Sequence, residues 1–271
     1  MMSPWLVELA GPPLGTRLVV CIPPAGGGAG RFGMLRPHLD TDIRLLGVQL
    51  PGREQRWHEE PVRTMAAAVA AIVPVLVPSL TVPYVLYGQS MGGLLGYELA
   101  HALSALARPP AALVLAAIRP PHLVTPDEAR HAATDTQLRV ALDAQLADPA
   151  FADDEDVAEL LMTSLRADAR LCANYRHDGE RNLTCPVVGW AGRDDRAVTE
   201  EHMRGWRRYT RGPFQTAEMP GDHYFTQTHP ERTALALQDP AIWAGRPADD
   251  GPDERSGNAR LGLGHSGGEA W

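Results

Sequence analysis

The sequence predicts an α/β fold in which a mostly parallel central sheet is flanked by helices. Short β-prone segments alternate with longer amphipathic runs, as in parallel strands joined by crossover helices. One predicted strand is followed by a serine between glycines and then by a helix-forming run, a junction typical of such sheets. The 271 residues, 44% of them hydrophobic, are enough for one large core. We therefore expect a single domain over residues 1–243.

The elements follow from local composition. Strands are predicted where β-branched, aromatic and other apolar residues stand together, at 18–22, 43–48, 84–87, 112–117, 186–190 and 214–218. Helices are predicted at 31–39, 64–77, 93–107, 199–209 and 230–238. Pro74 lies inside the second helix and is expected to bend or end it, because proline lacks an N–H and clashes with the preceding turn.

A long interval without strand signal separates the fourth and fifth predicted strands. From about 120 to 181 the sequence is polar and compatible with helices, and it includes the acidic stretch 153–156. Because a structureless loop of that length is uncommon in a compact domain, we expect a helical lid inserted here. After Trp243 the chain is rich in Gly, Asp, Arg and Pro, so residues 244–271 are expected to be a disordered tail.

The pentapeptide Gly-Gln-Ser-Met-Gly at 88–92 is the most informative segment. A serine that attacks a carbonyl carbon must stand on a tight turn between strand and helix, where the residues two before and two after it are crowded. Gly88 and Gly92 relieve that crowding. The same letters also occur in ordinary Gly-rich turns, but the position between a predicted strand and a predicted helix favours Ser90 as a nucleophile.

A serine is a weak nucleophile at neutral pH and needs a base and an orienting carboxylate, in the chain order Ser, acid, His for this type of sheet. Asp195 follows the fifth predicted strand and is the expected acid. The adjacent Asp194 is the alternative, and both acids are also common turn formers. His223, in a Gly-containing loop after the last strand, is the expected general base. His229 precedes a proline at an expected helix start and is the weaker candidate.

The negative oxygen of a tetrahedral intermediate needs two hydrogen-bond donors, usually backbone N–H groups. One is expected from Met91, directly after the serine, and the other from Ala25 in the Gly-rich segment 23–30. Gly-rich loops after a first strand also bind phosphate, but the glycine spacing alone is weak evidence and no ribose-binding acid is evident. We therefore expect segment 23–30 to form part of an oxyanion hole.

The amino-acid composition indicates which kinds of partner and compartment are expected for this protein. Lysine is absent, and 25 arginines stand against 33 acidic residues, for a formal charge of −8 that gives no general attraction to nucleic acid. The three cysteines are widely spaced, which suggests neither a disulfide framework nor a zinc site. No signal peptide is visible at the first residues, and no stretch has the length and apolarity of a membrane span. We expect a cytoplasmic protein without a membrane partner.

Taken together, several separated motifs resemble a known family. They are Ile-Pro-Pro-Ala-Gly-Gly at 22–27, Val-Gln-Leu-Pro-Gly-Arg at 48–53, Gly-Gln-Ser-Met-Gly at 88–92, Ser-Leu-Arg-Ala-Asp at 164–168 with Tyr175, Gly-x-x-Asp at 192–195 and Gly-Asp-His-Tyr-Phe at 221–225. From about 17 to 238 the chain is similar to the type II thioesterases of polyketide synthase and nonribosomal peptide synthetase systems. The Leu-Pro-Gly-Arg and Leu-Arg-Ala-Asp segments distinguish that family from generic esterases. The resemblance implies the α/β-hydrolase fold.

Two segments depart from the family pattern. The oxyanion loop of the family often carries His where Pro24 stands, and segment 116–122 lacks the Ser-Gly-Arg start often found there. Neither segment includes Ser90, Asp195 or His223, but the second lies near the expected rim of the pocket. The acyl preference therefore does not follow from the resemblance.

The resemblance implies hydrolysis of acyl groups from the phosphopantetheine arm of an acyl or peptidyl carrier protein, which removes stalled or mis-primed chains. It implies no metal or redox cofactor. The alternatives are a general carboxylesterase, a chain-releasing or cyclising thioesterase, and a carrier-binding module without catalysis. We expect a monomer.

Carrier proteins are acidic in these systems, so the arginines at 166, 170, 176 and 181 are a candidate docking surface. The alternative is a solvated face of a lid helix. In that case Arg166 and Asp168 are expected to form a structural pair.

Overall fold

A computed structural model describes residues 3–11, 15–145, 155–179 and 181–244. Its strands are β1 (Leu6–Ala10), β2 (Arg17–Ile22), β3 (Ile43–Val48), β4 (Tyr84–Gln89), β5 (Ala112–Ala116), β6 (Val187–Gly192) and β7 (Phe214–Met219). In this part of the chain they form one seven-stranded sheet of order β1-β3-β2-β4-β5-β6-β7. The disordered tail predicted for 244–271 falls, from residue 245 onward, outside the described residues.

The sheet is parallel except at one edge. Strands β2 to β7 pair in parallel, and β1 pairs antiparallel with β3, with Leu6 opposite Val48. The predicted α/β class is confirmed, but the sequence analysis missed β1. This strand is short, Glu8 is exposed and three of the other four residues are only half-buried, so its apolar signal is weak.

The helices are α1 (Met65–Leu76), α2 (Met91–Ala105), α3 (Pro126–Ala132), α4 (Asp135–Gln145), α5 (Glu155–Ala173), α6 (Glu200–Arg204), α7 (Phe225–Thr228), α8 (Pro230–Leu237) and α9 (Pro240–Trp243). Helix α1 begins after Thr64, whose side chain accepts the Ala67 N–H. It continues two residues past Pro74 and then tightens into a 3₁₀ turn over Val77–Ser79. None of the described helices is both long and apolar enough to cross a membrane.

Two predicted helices are present but are not continuous α-helices. The segment predicted at 31–39 is a 3₁₀ helix over Ala29–His38, which contains two glycines in its first half and Pro37 near its end. These residues are poor α-helix formers. The segment predicted at 199–209 divides into α6 and a 3₁₀ helix over Gly205–Tyr209.

The central strands β2 to β6 are buried on both faces of the sheet, and successive side chains of each strand point to opposite faces. In β2, Leu18, Val20 and Ile22 pack with α1 and α2, whereas Val19 and Cys21 pack with the 3₁₀ helix at 29–38 and with α8. Because β2 to β7 run parallel, their carboxyl ends lie at the same edge of the sheet, where α/β proteins form their binding and catalytic sites.

In its described residues, the segment between β5 and β6 contains a 3₁₀ turn (Pro121–Leu123) followed by α3, α4 and α5. Helix α3 begins with a capping box formed by Thr125 and Glu128. Its helices enclose a small apolar cluster of their own, made of Leu138, Leu142, Ala158, Met162 and Leu165. We refer to residues 120–181 as the helical insertion.

Candidate active site

Ser90 stands at the junction between β4 and α2. Its backbone has φ +51° and ψ −123°, a strained conformation for a residue with a side chain. Its N–H donates to the Ala116 carbonyl at 2.8 Å, and its carbonyl accepts the Gly93 N–H at 2.8 Å. The turn is thus fixed from the neighbouring strand β5 and from the first turn of α2.

The two glycines that flank Ser90 are required by close backbone approach. A Cβ atom on Gly88 would lie 2.2 Å from the Gly92 carbonyl oxygen, and one on Gly92 would lie 2.1 Å from the Ile22 carbonyl oxygen. Both distances are far below van der Waals contact. The spacing of the motif therefore reflects the packing of α2 against β4 and β2.

His223 lies in the loop between β7 and α7. Its Nε2 atom is 3.2 Å from Ser90 Oγ, within hydrogen-bond distance. The backbone of His223 is held from the strand that carries the serine, because Gln89 Nε2 donates to the His223 carbonyl at 3.1 Å. Gln89 is fully buried and also exchanges side-chain hydrogen bonds with Gln227. Gln89 and Gln227 were not predicted as site residues, because no sequence pattern marks a glutamine that positions another side chain.

Asp195 follows β6 and is buried, with 7% of its surface exposed. Its Oδ2 is 2.7 Å from His223 Nδ1, and its Oδ1 accepts the N–H groups of Ala197 and Val198 at 2.8 and 3.0 Å. Burial raises the pKa of Asp195. The hydrogen bond from His223, the electrostatic interaction with that side chain and the two backbone donors lower it by more, so that the pKa lies below its usual value. The carboxylate thus stays ionised beside the imidazole.

The two alternatives raised by the sequence lie elsewhere. Asp194 is exposed, and its recorded hydrogen bond is made by its backbone N–H to the Gly221 carbonyl. His229 caps α8, and its Nδ1 lies 3.0 Å from the Thr228 hydroxyl. Neither side chain makes a hydrogen bond to Ser90 or His223 among the described residues.

The two expected oxyanion donors line the same cavity as Ser90 and His223. Met91 is the first residue of α2, so its N–H has no acceptor within the helix. Ala25 lies in the loop after β2. In the described part of the chain, neither N–H is paired with a protein acceptor. Both groups are thus available to a ligand oxygen.

The cavity has a volume of about 590 Å³ and lies between the ends of the strands and the helical insertion. Part of its wall is apolar and includes Leu94, Ile118, Leu138 and Leu165. A volume of this size is in the range of small-molecule sites. The cavity, which Ser90 also lines, therefore offers an apolar surface to a ligand.

Elsewhere the same cavity has a polar wall, formed by His122, Tyr175, His177, Arg181 and Tyr209. Glu98 supports it by accepting hydrogen bonds from Tyr175 at 2.7 Å and from Arg181 at 2.9 Å. His177 and the Arg181 carbonyl both contact the Tyr97 hydroxyl. The polar wall is therefore held by hydrogen bonds before any ligand binds.

The two segments that distinguish the family meet beside the loop after β2. Arg53 of Leu-Pro-Gly-Arg forms a buried ion pair with Asp168 of Leu-Arg-Ala-Asp. The expected pairing of Arg166 with Asp168 is wrong, because Arg166 binds Asp135 and Glu159 at the surface of the insertion. Sequence proximity suggested the wrong partner, since residues two apart on a helix do not face each other.

No group of three or more His, Cys, Asp or Glu side chains that could hold a metal ion is found among the described residues. The cysteines at 21, 172 and 185 are free thiols.

Comparison with known proteins identifies the family to which this chain belongs. The family described as "Thioesterase domain" matches residues 17–239. The chain is 30% identical over 207 residues to the gramicidin S biosynthesis protein GrsT of Aneurinibacillus migulanus, covering 76% of this chain and 81% of that protein.

Solved structures agree with the sequence comparison. The RedJ thioesterase from the prodiginine pathway of Streptomyces coelicolor superposes with a TM-score of 0.75 at 34% identity, covering 84% of this chain and 91% of that one. The type II thioesterase BorB from the borrelidin biosynthetic cluster superposes with a TM-score of 0.74 at 26% identity, covering 88% and 97%. The resemblance stated from the motifs is confirmed: the chain belongs to the thioesterase family and has the α/β-hydrolase fold.

Proposed function

We propose that this thioester hydrolase removes acyl groups from the phosphopantetheine arm of acyl or peptidyl carrier proteins in polyketide or nonribosomal peptide biosynthesis, with Ser90, His223 and Asp195 as its catalytic triad. The observation that supports the triad most directly is the continuous line of contacts from Ser90 Oγ through the imidazole to Asp195. The substrate class is supported by the biosynthetic relatives.

The first half of the reaction transfers the acyl group to the enzyme. His223 Nε2 takes the Ser90 proton as Oγ attacks the thioester carbonyl carbon. The N–H groups of Met91 and Ala25 donate to the oxygen that becomes negative. The tetrahedral intermediate then collapses, the C–S bond breaks, and His223 returns the proton to the departing thiolate.

The second half releases the acid. A water molecule enters beside His223, which takes its proton while the oxygen attacks the acyl-serine carbonyl. The same two N–H groups stabilise the second oxyanion, and Ser90 leaves with the proton from His223. Throughout, Asp195 holds the proton on Nδ1 and stabilises the imidazolium, so each step uses protein side chains and water and the proposal assigns no cofactor.

The helical insertion acts as a lid in this proposal. It supplies much of the cavity wall, including Leu138 and Leu165. An arm that carries the substrate must enter between the insertion and the core, and the acyl chain must be covered while the acyl-enzyme forms. Movement of the insertion would therefore set the rates of entry and release.

The arginines proposed for carrier docking divide into two groups. Arg166 and Arg181 are bound by carboxylates of this chain, the first by Asp135 and Glu159 and the second by Glu98. Arg170 and Arg176 are exposed and form no ion pair within the described residues. Our docking proposal therefore rests on Arg170 and Arg176, which offer charge to an acidic carrier protein.

The proposal is tested with one short acyl group presented in three ways: on a holo carrier protein, on a small thiol and as a p-nitrophenyl ester. We expect kcat/KM to be highest for the carrier-bound thioester, and Ser90→Ala to lower it by roughly 10³-fold or more. Preference for the simple ester would instead identify a general esterase. Carrier binding without turnover by the wild type would identify a binding module.

A further inference from the structure

The buried ion pair between Arg53 and Asp168 joins two distant parts of the chain. Arg53 follows β3, and Asp168 lies in the middle of α5 in the helical insertion. Two hydrogen bonds connect them, at 2.5 Å to Oδ2 and 2.9 Å to Oδ1, and their side chains are only 4% and 1% exposed. The geometry is bidentate, which fixes the orientation of both groups.

The pair also binds the loop that carries Ala25. Asp168 Oδ2 accepts the Gly26 N–H at 2.7 Å, and Arg53 Nη1 donates to the Gly27 carbonyl at 3.3 Å. The carboxylate and the guanidinium thus hold two peptide groups directly after Ala25. The contact to Gly27 is buried and the contact to Gly26 is partly buried, so the access of water to both is limited.

These contacts select one of two turn geometries. Residues 24–27 form a β-turn in which the Gly27 N–H donates to the Pro24 carbonyl at 2.9 Å, and Gly26 has φ +73°. A positive φ at this position marks a type II turn, which differs from type I by a rotation of roughly 180° of the central peptide. That peptide joins Ala25 to Gly26 and carries the N–H that Asp168 binds. Its rotation would change ψ of Ala25 and φ of Gly26 and turn the Gly26 N–H away from Asp168. The Ala25 N–H belongs to the preceding peptide, so Asp168 and Arg53 restrain it by fixing the turn in which Ala25 stands.

The sequence of the loop makes such a rotation easy. Glycine stands at 26, 27, 28 and 30, and glycine adopts positive and negative φ with similar ease. The loop by itself therefore does not hold one orientation of its N–H groups. A contact from outside the loop must therefore fix the orientation of these N–H groups.

We infer that Arg53 and Asp168 are positioning residues that hold the turn at 24–27 so that the Ala25 N–H faces the oxyanion. The inference rests on the proposed function, since it assigns the pair to the oxyanion hole of the Ser90 reaction. Because Asp168 belongs to α5, the pair also ties that donor to the helical insertion.

The test is a double variant, Arg53→Met/Asp168→Leu. Replacing a buried ion pair by apolar residues of similar size commonly leaves a protein folded, whereas removing one partner strands a buried charge. We expect the double variant to fold and its kcat on an acyl N-acetylcysteamine thioester to fall roughly 10- to 100-fold, with KM within about twofold. Loss of a whole oxyanion donor costs about 10²- to 10³-fold in kcat, and a loosened donor costs less.

A second readout separates positioning from a loss of folded protein. An alkylboronic acid forms a tetrahedral adduct with the nucleophilic serine and needs the oxyanion donors as the transition state does. We expect its affinity to fall by about the same factor as kcat/KM. Arg44→Gln, which breaks an ion pair with Glu8 at the sheet edge away from the site, should change neither value.

Wild-type kcat or unchanged boronate affinity in the folded double variant would overturn the inference. If the double variant does not fold, Arg53→Lys provides the same comparison, because lysine keeps the charge but cannot form the bidentate contact. Failure of the proposed function gives a different result, since Ser90→Ala would then hydrolyse the thioester as fast as the wild type.

Discussion

His223 Nδ1 lies 2.7 Å from Asp195 Oδ2, while the other carboxylate oxygen of Asp195 accepts two backbone N–H groups. The imidazole is therefore oriented by a carboxylate that is itself fixed by the turn after β6. The neighbouring acid, Asp194, is exposed and takes no part in this arrangement.

Substitutions at two adjacent acids should have very different effects on kcat. Asp195→Asn is expected to lower kcat by about 10³- to 10⁴-fold, because an amide does not hold the useful imidazole tautomer or stabilise the imidazolium. Asp194→Asn is its matched control and should stay within about twofold of the wild type. Steady-state hydrolysis of a thioester measures both, and equal losses would reject Asp195 as the orienting acid.

The two histidines of the same region provide a second matched comparison. His223→Ala should reduce the acylation rate by at least about 10³-fold, since Ser90 then has no base. His229→Ala removes a side chain whose recorded partner is Thr228 and should leave the rate nearly unchanged. Single-turnover acylation followed by mass spectrometry reports the step itself. A rapid acyl-enzyme in His223→Ala would contradict the assignment.

Gly92→Ala should be severely destabilising. The added Cβ would lie 2.1 Å from the Ile22 carbonyl oxygen, and backbone cannot move aside as a flexible side chain can. We expect a loss of about 3 kcal/mol or more in the free energy of unfolding, or no folded protein. Gly33→Ala is the control, because a Cβ there meets nothing within 4 Å. Urea unfolding followed by circular dichroism compares the two, and similar midpoints would show that α2 can shift.

Stability should also depend on the protonation of His101. Burial, aided by the charge of Arg181, lowers the pKa of His101 from 6.5 to about 4, and its Nε2 is buried without a hydrogen-bond partner in the described structure. Below pH 6.5 the unfolded chain binds a proton that the native state refuses until about pH 4. The free energy of unfolding should therefore fall as the pH decreases through that window.

His101→Phe keeps an aromatic ring beside Tyr97 and removes the titration. The loss of stability between pH 7 and pH 4.5 should become smaller by about 1 kcal/mol, a value reduced for the partial exposure of the ring. His131→Asn, on the exposed surface of α3, should keep the wild-type slope. Urea unfolding at several pH values provides the measurement, and an unchanged slope in His101→Phe would disprove the role of this ring.

Much of the fold follows from local sequence. Each predicted parallel strand is present. Strands β2 to β6 are buried on both faces and therefore have nearly continuous apolar sequences, whereas β7 is a half-exposed edge strand. Strand β1 was missed since a half-exposed edge strand is stabilised by its pairing with β3 more than by its own composition. The helices expected at 31–39 and 199–209 are present, the first as a 3₁₀ helix and the second as α6 followed by a 3₁₀ helix, because helix propensity does not fix how tightly a short segment winds.

The sequence by itself determined the family, the strand-turn-helix around Ser90 and the chain order of the candidate triad, because these depend on residues close together in the chain. Only the tertiary structure decided which of two adjacent acids meets His223, and that Asp168 binds Arg53 rather than Arg166. These choices depend on where strands and helices far apart in the chain are brought together by burial of the core. The spacing of residues along the chain does not show which distant segments come into contact.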